Sequence, residues 1–338
     1  MTQTTWQREL SRAITKPETL LATLGLPNSL LAGARAADGL FALRVTPSYL
    51  ARMRHGDAND PLLRQVLPRA EELRDAAGYE ADPLHERAAL RAPNLLQKYA
   101  GRALLVTTQA CAIHCRYCFR REFPYAEQAP GADTAAAPRF HAALAAIAAD
   151  ASVEEVILSG GDPLSLSDAR LAQITDALSA IPHIRRIRVH TRQPIVLPSR
   201  VDAALVDWAR GVRRPLIFVL HANHPNEIDD DVRAACTKLR AAGVTLLNQS
   251  VLLHGVNDDV ATLARLSCAL MDAGVLPYYL HLPDRVRGTA HFDVDERQAQ
   301  ALIAELSARL SGYLVPRLVR EVPGAPSKLP SLPGFSTS

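Results

Sequence analysis

The chain has 338 residues, of which 48% are apolar and 22% charged, the make-up of a globular protein with ample core and not of a disordered or fibrous one. Lysine plus arginine exceed aspartate plus glutamate by 38 − 35 = 3, too slight a bias to select a nucleic acid or a membrane surface as partner. No apolar run approaches the ~20 residues of a spanning helix. The N-terminal stretch carries Glu9 and Glu18 and lacks a compact apolar segment, so it does not read as a signal peptide and a cytoplasmic location is expected.

Residues 1–95 read as an N-terminal helical region of short helices and turns. Thr46-Pro47 and Asp60-Pro61 each set a capping side chain before a proline suited to a first helical turn, while Pro68, Pro83 and Pro93 interrupt anything longer. From residue 96 the pattern becomes regular. Apolar, often β-branched runs at 103–108, 155–159, 187–191, 216–221, 245–251 and 277–282 alternate with segments of helical period. The segment after the second run sets Leu171, Ile174 and Leu178 on one face, and the segment after the fourth does the same with Val232, Cys236 and Leu239. The last helix starts at an Asp293-x-x-Glu296 capping box, repeats Leu302, Leu306 and Leu310, and stops at Gly312. The Gly/Ala/Pro-rich stretch at 129–138 reads as a loop. Arg185, Arg186, Arg188, Arg213 and Arg214 read as solvated faces.

Alternating strands and helices with continuous apolar strands imply a parallel sheet covered on both faces. Six such units without a Gly-x-Gly-x-x-Gly turn favour a partial (β/α)6 barrel over 96–312, an α/β fold whose chemistry belongs at the C-terminal ends of its strands. A short segment, 313–338, follows it.

Five cysteines are too few for a disulfide framework, and three of them fall within eight positions, at Cys111, Cys115 and Cys118. Three closely spaced thiolates after the first strand can hold three corners of a four-iron cluster and leave the fourth iron open. A zinc knuckle closed by His114 competes with this, since structural zinc takes four ligands. Cys236 reads as a small buried hydrophobe on its helical stripe, and Cys268 is assigned nothing. Ser159-Gly160-Gly161-Asp162-Pro163 follows the second strand; alone it is an ordinary turn, with glycines that permit close backbone approach. Near the C-terminus, Gly324-Ala325-Pro326-Ser327-Lys328-Leu329-Pro330 holds one lysine in stiff backbone. By composition it is a solvated tail lysine, yet confinement and neighbouring cations can ready such a residue for Schiff-base chemistry.

The cysteine spacing and the glycine turn together resemble the radical S-adenosylmethionine (SAM) superfamily. That resemblance implies a [4Fe-4S] cluster on Cys111, Cys115 and Cys118, and SAM chelated by the open iron. Gly160, Gly161 and Asp162 then meet the SAM amino group, and one electron cleaves the sulfonium to a 5′-deoxyadenosyl radical. Further motifs extend the likeness: Val45-Thr46-Pro47-Ser48-Tyr49-Leu50, Cys115-Arg116-Tyr117-Cys118-Phe119-Arg120-Arg121, His224-Pro225-Asn226-Glu227, Asn248-Gln249-Ser250-Val251 and Pro326-Ser327-Lys328. From about residue 40 onward the chain resembles the lysine 2,3-aminomutase family. It is most similar to the bacterial subgroup that makes (R)-β-lysine for modifying elongation factor P.

The resemblance implies pyridoxal 5′-phosphate (PLP) on Lys328, with its phosphate met by Arg102 and, secondarily, Lys98. Arg120 then pairs with the substrate carboxylate. Asp284 and Glu321 read the distal ammonium, Glu321 standing where the clostridial type enzyme has aspartate, and Gln249 contacts SAM. His221 ends the fourth strand and faces either the site or the core. The implied reaction converts L-lysine to β-lysine by 1,2-amino migration after hydrogen abstraction from C3, a position no side-chain base can activate. Implied partners are L-lysine, a separate elongation factor P ligase that receives β-lysine, and a reductase or flavodoxin-type electron donor, with no nucleic acid and no membrane. No cysteine follows Cys268, so the structural zinc of the clostridial extension is not expected. The alternatives are an aminomutase for arginine or ornithine, and a catalytically inactive metal-binding barrel.

Overall fold

The computed structural model describes residues 3–125 and 140–331; the Gly/Ala/Pro-rich stretch at 129–138 lies outside the described residues. Ten strands follow one another in chain order across a single sheet. They are β1 (Leu90–Ala92), β2 (Leu95–Tyr99), β3 (Arg102–Thr108), β4 (Glu155–Gly160), β5 (Arg186–Thr191), β6 (Leu216–Leu220), β7 (Thr245–Val251), β8 (Leu276–His281), β9 (Arg317–Arg320) and β10 (Leu329–Pro330). Strands β3 to β9 run parallel. An antiparallel hairpin, β1–β2, flanks one edge and antiparallel β10 the other. Among the described residues no pairing joins β1 to β10, so the barrel stays open.

The six apolar runs are β3 to β8. A seventh parallel strand, β9, pairs with β8 through Tyr279↔Arg317, Leu280↔Leu318 and His281↔Val319. With an arginine at each end of four residues, it carries too short an apolar run to be recognised, although Leu318 and Val319 are buried. The hairpin sets Leu90 opposite Leu96 and Ala92 opposite Leu95, so the end of the N-terminal region belongs to the sheet. The last helix, Glu296–Arg309, is capped by Asp295, whose carboxylate accepts from the Arg297 and Gln298 N–H groups, and not by Asp293. Glu296 pairs instead with Arg320 at 3.2 Å and accepts from Ser331 at 2.5 Å. The helix ends ahead of Gly312, because Leu310 already takes up the extended backbone that leads toward β9.

Leu171, Ile174 and Leu178 in the helix Asp168–Ala180, and Val232, Cys236 and Leu239 in the helix Asp230–Ala241, are buried as the 3.6-residue period requires. They share one core with Val156, Leu158, Ile187 and Val189 of the strands. Because side chains alternate along a strand, Arg188 between those last two points the other way, into the barrel. It pairs there with Glu155 and is 12% exposed, whereas Arg185 and Arg186 form the surface pairs expected of a solvated face.

Thr46 and Asp60 cap the helices Pro47–Leu50 and Pro61–Arg64. These helices are laid over the C-terminal ends of the strands: Tyr49, Leu62 and Leu63 join the main core, and Arg52 donates to the Ile195 carbonyl at 2.6 Å. No helix among the described residues is long and apolar enough to cross a membrane.

Candidate functional site

The loop after β3 brings Cys111, Cys115 and Cys118 to the C-terminal end of that strand. Charge holds it there. Arg116, fully buried between the second and third cysteines, pairs through Nε and Nη2 with both oxygens of Glu72 at 2.8 and 2.6 Å, and Arg121 adds a contact to the same carboxylate at 2.8 Å. Removing one partner of such a pair strands a buried charge at about 3–5 kcal/mol. Arg192 approaches Cys115, with Nη1 2.7 Å from Sγ, and also donates to Gln65 at 2.7 Å and Glu227 at 2.9 Å.

Burial pushes the Cys111 thiol well above its ordinary range, with Asp162 and the two sister thiols adding to the rise. Burial and Cys115 push Cys118 up to about 11. Thiols that oppose one another's ionisation are suited to a cationic iron centre, which binds them as thiolates. His114 does not join them: its Nδ1 lies 2.7 Å from the Ala42 carbonyl oxygen and its ring stacks on Phe41. With His114 so engaged, the three thiols stand as the donor set, which fits three corners of a four-iron cluster, and the zinc knuckle closed by His114 is set aside.

The glycine turn packs directly on this loop. Gly161 donates to the Thr108 carbonyl at 2.7 Å and Asp162 N–H to the Ala110 carbonyl at 2.8 Å. A Cβ on Gly161 would stand 2.5 Å from the Ala110 oxygen; one on Gly160, whose φ is +122°, would stand 2.6 Å from the Thr108 oxygen. Backbone approach alone therefore demands both glycines. The Asp162 carboxylate accepts from Thr191 Oγ1 and Arg192 N–H at 2.7 Å, Leu164 N–H at 3.0 Å and Gln193 N–H at 3.1 Å. It ties the loops after β4 and β5 together, and a ligand would find its oxygens already engaged.

A run of alternating charges leads from the cysteine loop to the C-terminal lysine. Arg120 donates through Nε and Nη2 to Glu86 at 2.7 and 2.8 Å, and through Nη1 to Ser159 Oγ at 3.0 Å. Glu86 also pairs with Lys98 at 3.0 Å, Lys98 with Glu321 at 2.9 Å, and the other oxygen of Glu321 with Lys328. Lys328, at 21%, is the most exposed side chain of the series, and enclosure of this degree strengthens every pair beyond its value in water. Lys328 is thus no solvated tail residue; β10, which follows it at once, fastens the segment to β9.

Burial would raise the Glu321 carboxyl, but the Lys328 and Lys98 ammonium groups outweigh it and hold the group well below its usual range. Asp284 is pushed the other way, up to about 7, by burial and by the Glu321 charge. Arg102 lays its guanidinium 4.6 Å over the Tyr99 ring and has no carboxylate partner among the described residues, which leaves its donors to an anion. Burial and then the Arg192, Lys328 and Arg120 cations push His221 down to about 3, so its neutral ring accepts from the Gln249 amide at 2.8 Å. His221 thus lies within reach of the charges of Arg192, Lys328 and Arg120. Beside this network opens a cavity of about 470 Å³ lined by Leu84, Gln97, Lys98, Tyr99, Glu321 and Pro323, a size common to small-ligand sites.

Residues 105–266 match the Radical SAM superfamily. The chain is 49% identical to an L-lysine 2,3-aminomutase of Escherichia coli over 327 residues, 96% of this chain and 94% of the relative. An L-lysine 2,3-aminomutase of Haemophilus influenzae is 45% identical over 323 residues, with the same two shares. One of Clostridium subterminale is 36% identical over 333 residues, 98% of this chain and 79% of the relative. The chain belongs to the lysine 2,3-aminomutase family. Members of this family use a [4Fe-4S] cluster, SAM and PLP, and the donor set of the cysteine loop together with the unpaired Arg102 beside the Lys328 network fits those groups. Sequence reasoning missed two residues of this aminomutase site, Glu86 and Arg192. Their one signal was indirect, since a buried arginine needs an acceptor and a cysteine cluster attracts donors.

Proposed function

We propose that this member of the lysine 2,3-aminomutase family isomerises L-lysine to β-lysine, with Cys111, Cys115 and Cys118 as cluster ligands and Lys328 as the PLP lysine. The observation that carries the reading is the unbroken series of ion pairs from Arg120, two residues past Cys118, through Glu86, Lys98 and Glu321 to Lys328. It links the cysteine loop and the lysine segment across one interior.

When bound, the cluster with SAM supplies a hydrogen-abstracting radical, and PLP carries the migrating nitrogen. The chain's own residues position and enclose. The backbone at Gly160 and Gly161 meets the SAM amino group, the Asp162 backbone continues that edge, and Gln249, its amide held by His221, makes a further contact. Arg102 takes the cofactor phosphate, with Lys98 nearby. The planar fork of Arg120 suits the carboxylate of the amino acid. Asp284 and Glu321 read the distal ammonium: an entering cation favours the ionised form of Asp284 beside the Glu321 charge, whereas a neutral or acidic side chain gives Asp284 no partner. Enclosure keeps water and oxygen from the radical.

The likeness to the elongation factor P subgroup, including Glu321 in place of aspartate, supports a cytoplasmic enzyme. It hands β-lysine to a separate elongation factor P ligase and draws electrons from a reductase or flavodoxin-type donor. Anaerobic turnover of L-lysine, L-ornithine and L-arginine side by side tests the substrate. Preference for lysine supports the reading, and a clear preference for either of the others overturns it.

A further inference from the structure

Glu86 is 2% exposed and sits in the turn that precedes β1. Its N–H is held by Asp82 Oδ1 at 2.9 Å, and the residue before it, His85, has φ +49°, a left-handed conformation that costs a non-glycine residue on the order of 1 kcal/mol or more. The His85 side chain is 61% exposed and, among the described residues, reaches only the equally exposed Glu80, at 3.7 Å. What the turn achieves is to aim Glu86 inward.

A guanidinium presents two forks to a carboxylate, one on its side (Nε with one Nη) and one at its end (the two Nη atoms). Glu86 fills the side fork of Arg120, while Ser159 Oγ meets Nη1 at 3.0 Å. Each Nη atom has two N–H groups, and these contacts use one on each, so Nη1 and Nη2 both keep a donor. Lys98 shares the Glu86 charge at 3.0 Å, so Arg120 is not fully neutralised by its acid and still attracts an anion.

We propose that Glu86 is the positioning residue for the substrate carboxylate: by occupying the side fork of Arg120 it fixes the guanidinium plane and presents the end fork to the two oxygens of the amino acid. This rests on the reading of Arg120 given above. A ligand without a carboxylate makes no use of that end fork, and Glu86 reaches it only through Lys98 and Glu321.

The test uses Glu86→Gln and Glu86→Asp in the full-length, PLP-loaded protein, with equilibrium binding of L-lysine and of 1,5-diaminopentane followed by the cofactor's absorbance, and thermal unfolding as a check on folding. Losing one charge-assisted fork weakens lysine about 10- to 100-fold in Glu86→Gln. Binding of 1,5-diaminopentane stays within about threefold. Glu86→Asp keeps the charge and retracts it by one methylene, so it folds if the glutamine variant does not, and it weakens lysine by an intermediate factor. Equal weakening of both ligands, or lysine binding within about threefold of the unsubstituted protein in every variant that folds, overturns the proposal. If the unsubstituted protein itself binds lysine no better than 1,5-diaminopentane, the reading of Arg120 fails before Glu86 is at issue.

Discussion

A methyl group on Gly161 has nowhere to go. Its carbon would stand 2.5 Å from the Ala110 carbonyl oxygen and 2.7 Å from the Gln109 carbonyl carbon and oxygen, against about 3.5–4.0 Å for ordinary contact between carbon atoms. The opposing atoms are backbone, tied to the glycine turn by the 2.7 Å bond to Thr108 and the 2.8 Å bond to Ala110, so no flexible side chain can yield. Relief comes only by shifting the segment that leads into Cys111 by about an ångström, which misplaces a cluster ligand. Overpacking costs about 1–3 kcal/mol, and weakening one of the two hydrogen bonds adds about 1 kcal/mol. Gly161→Ala should therefore lower the melting temperature by on the order of 5–10 °C. It should also lower the iron retained after anaerobic reconstitution. Gly211→Ala is the control: nothing lies within 4 Å of that Cβ, and alanine at the end of the helix Ala203–Gly211 should be neutral or stabilise by up to about 1 kcal/mol. Calorimetry with iron analysis reads both effects. A Gly161→Ala protein that melts within about 1 °C of the unsubstituted chain and holds a full complement of iron would refute the reasoning.

Lys328→Ala should abolish the borohydride-reducible pyridoxyl adduct and β-lysine formation while the iron–sulfur absorbance persists; a reducible adduct surviving on another lysine contradicts it. Cys115→Ala should show the converse, loss of the cluster and of SAM cleavage with the PLP adduct retained, read by visible absorbance and product analysis. For Asp284, the folded chain with its carboxyl raised to about 7 still holds a proton that the unfolded chain releases near pH 4. Stability without ligand therefore falls as pH rises from about 4 to about 7. Asp284→Asn removes that loss, so its melting temperature relative to the unsubstituted protein should climb across this window, and a pH-independent difference would count against a raised carboxyl.

The six long strands were legible because each carries an apolar run bounded by turn residues, and the two helix stripes because a buried face repeats at helical period. β9 was not, since Leu318 and Val319 alone are too short a signal and acquire meaning only beside β8. The capping pattern at Asp293 failed because another aspartate, Asp295, stands nearer the helix start, and local spacing does not rank the two. The cysteines and Lys328 stood out by spacing and resemblance. Glu86 and Arg192 left no such trace, for each acts on a partner far along the chain, Glu86 on a residue 34 positions away and Arg192 on one 77 positions away. His114 shows the opposite failure: its place in the loop suggested a ligand, yet Ala42, 72 positions earlier, decides where it points.

The central claim is that a cluster on the three cysteines and a cofactor on Lys328 act on one lysine molecule. L-Lysine deuterated at C3, incubated anaerobically with SAM, PLP and a reductant, tests this most directly. The account predicts β-lysine as product and deuterium carried into the recovered SAM, because the abstracted hydrogen is returned through it. β-Lysine formed with no label in SAM, or SAM cleaved with lysine left untouched, would contradict the account.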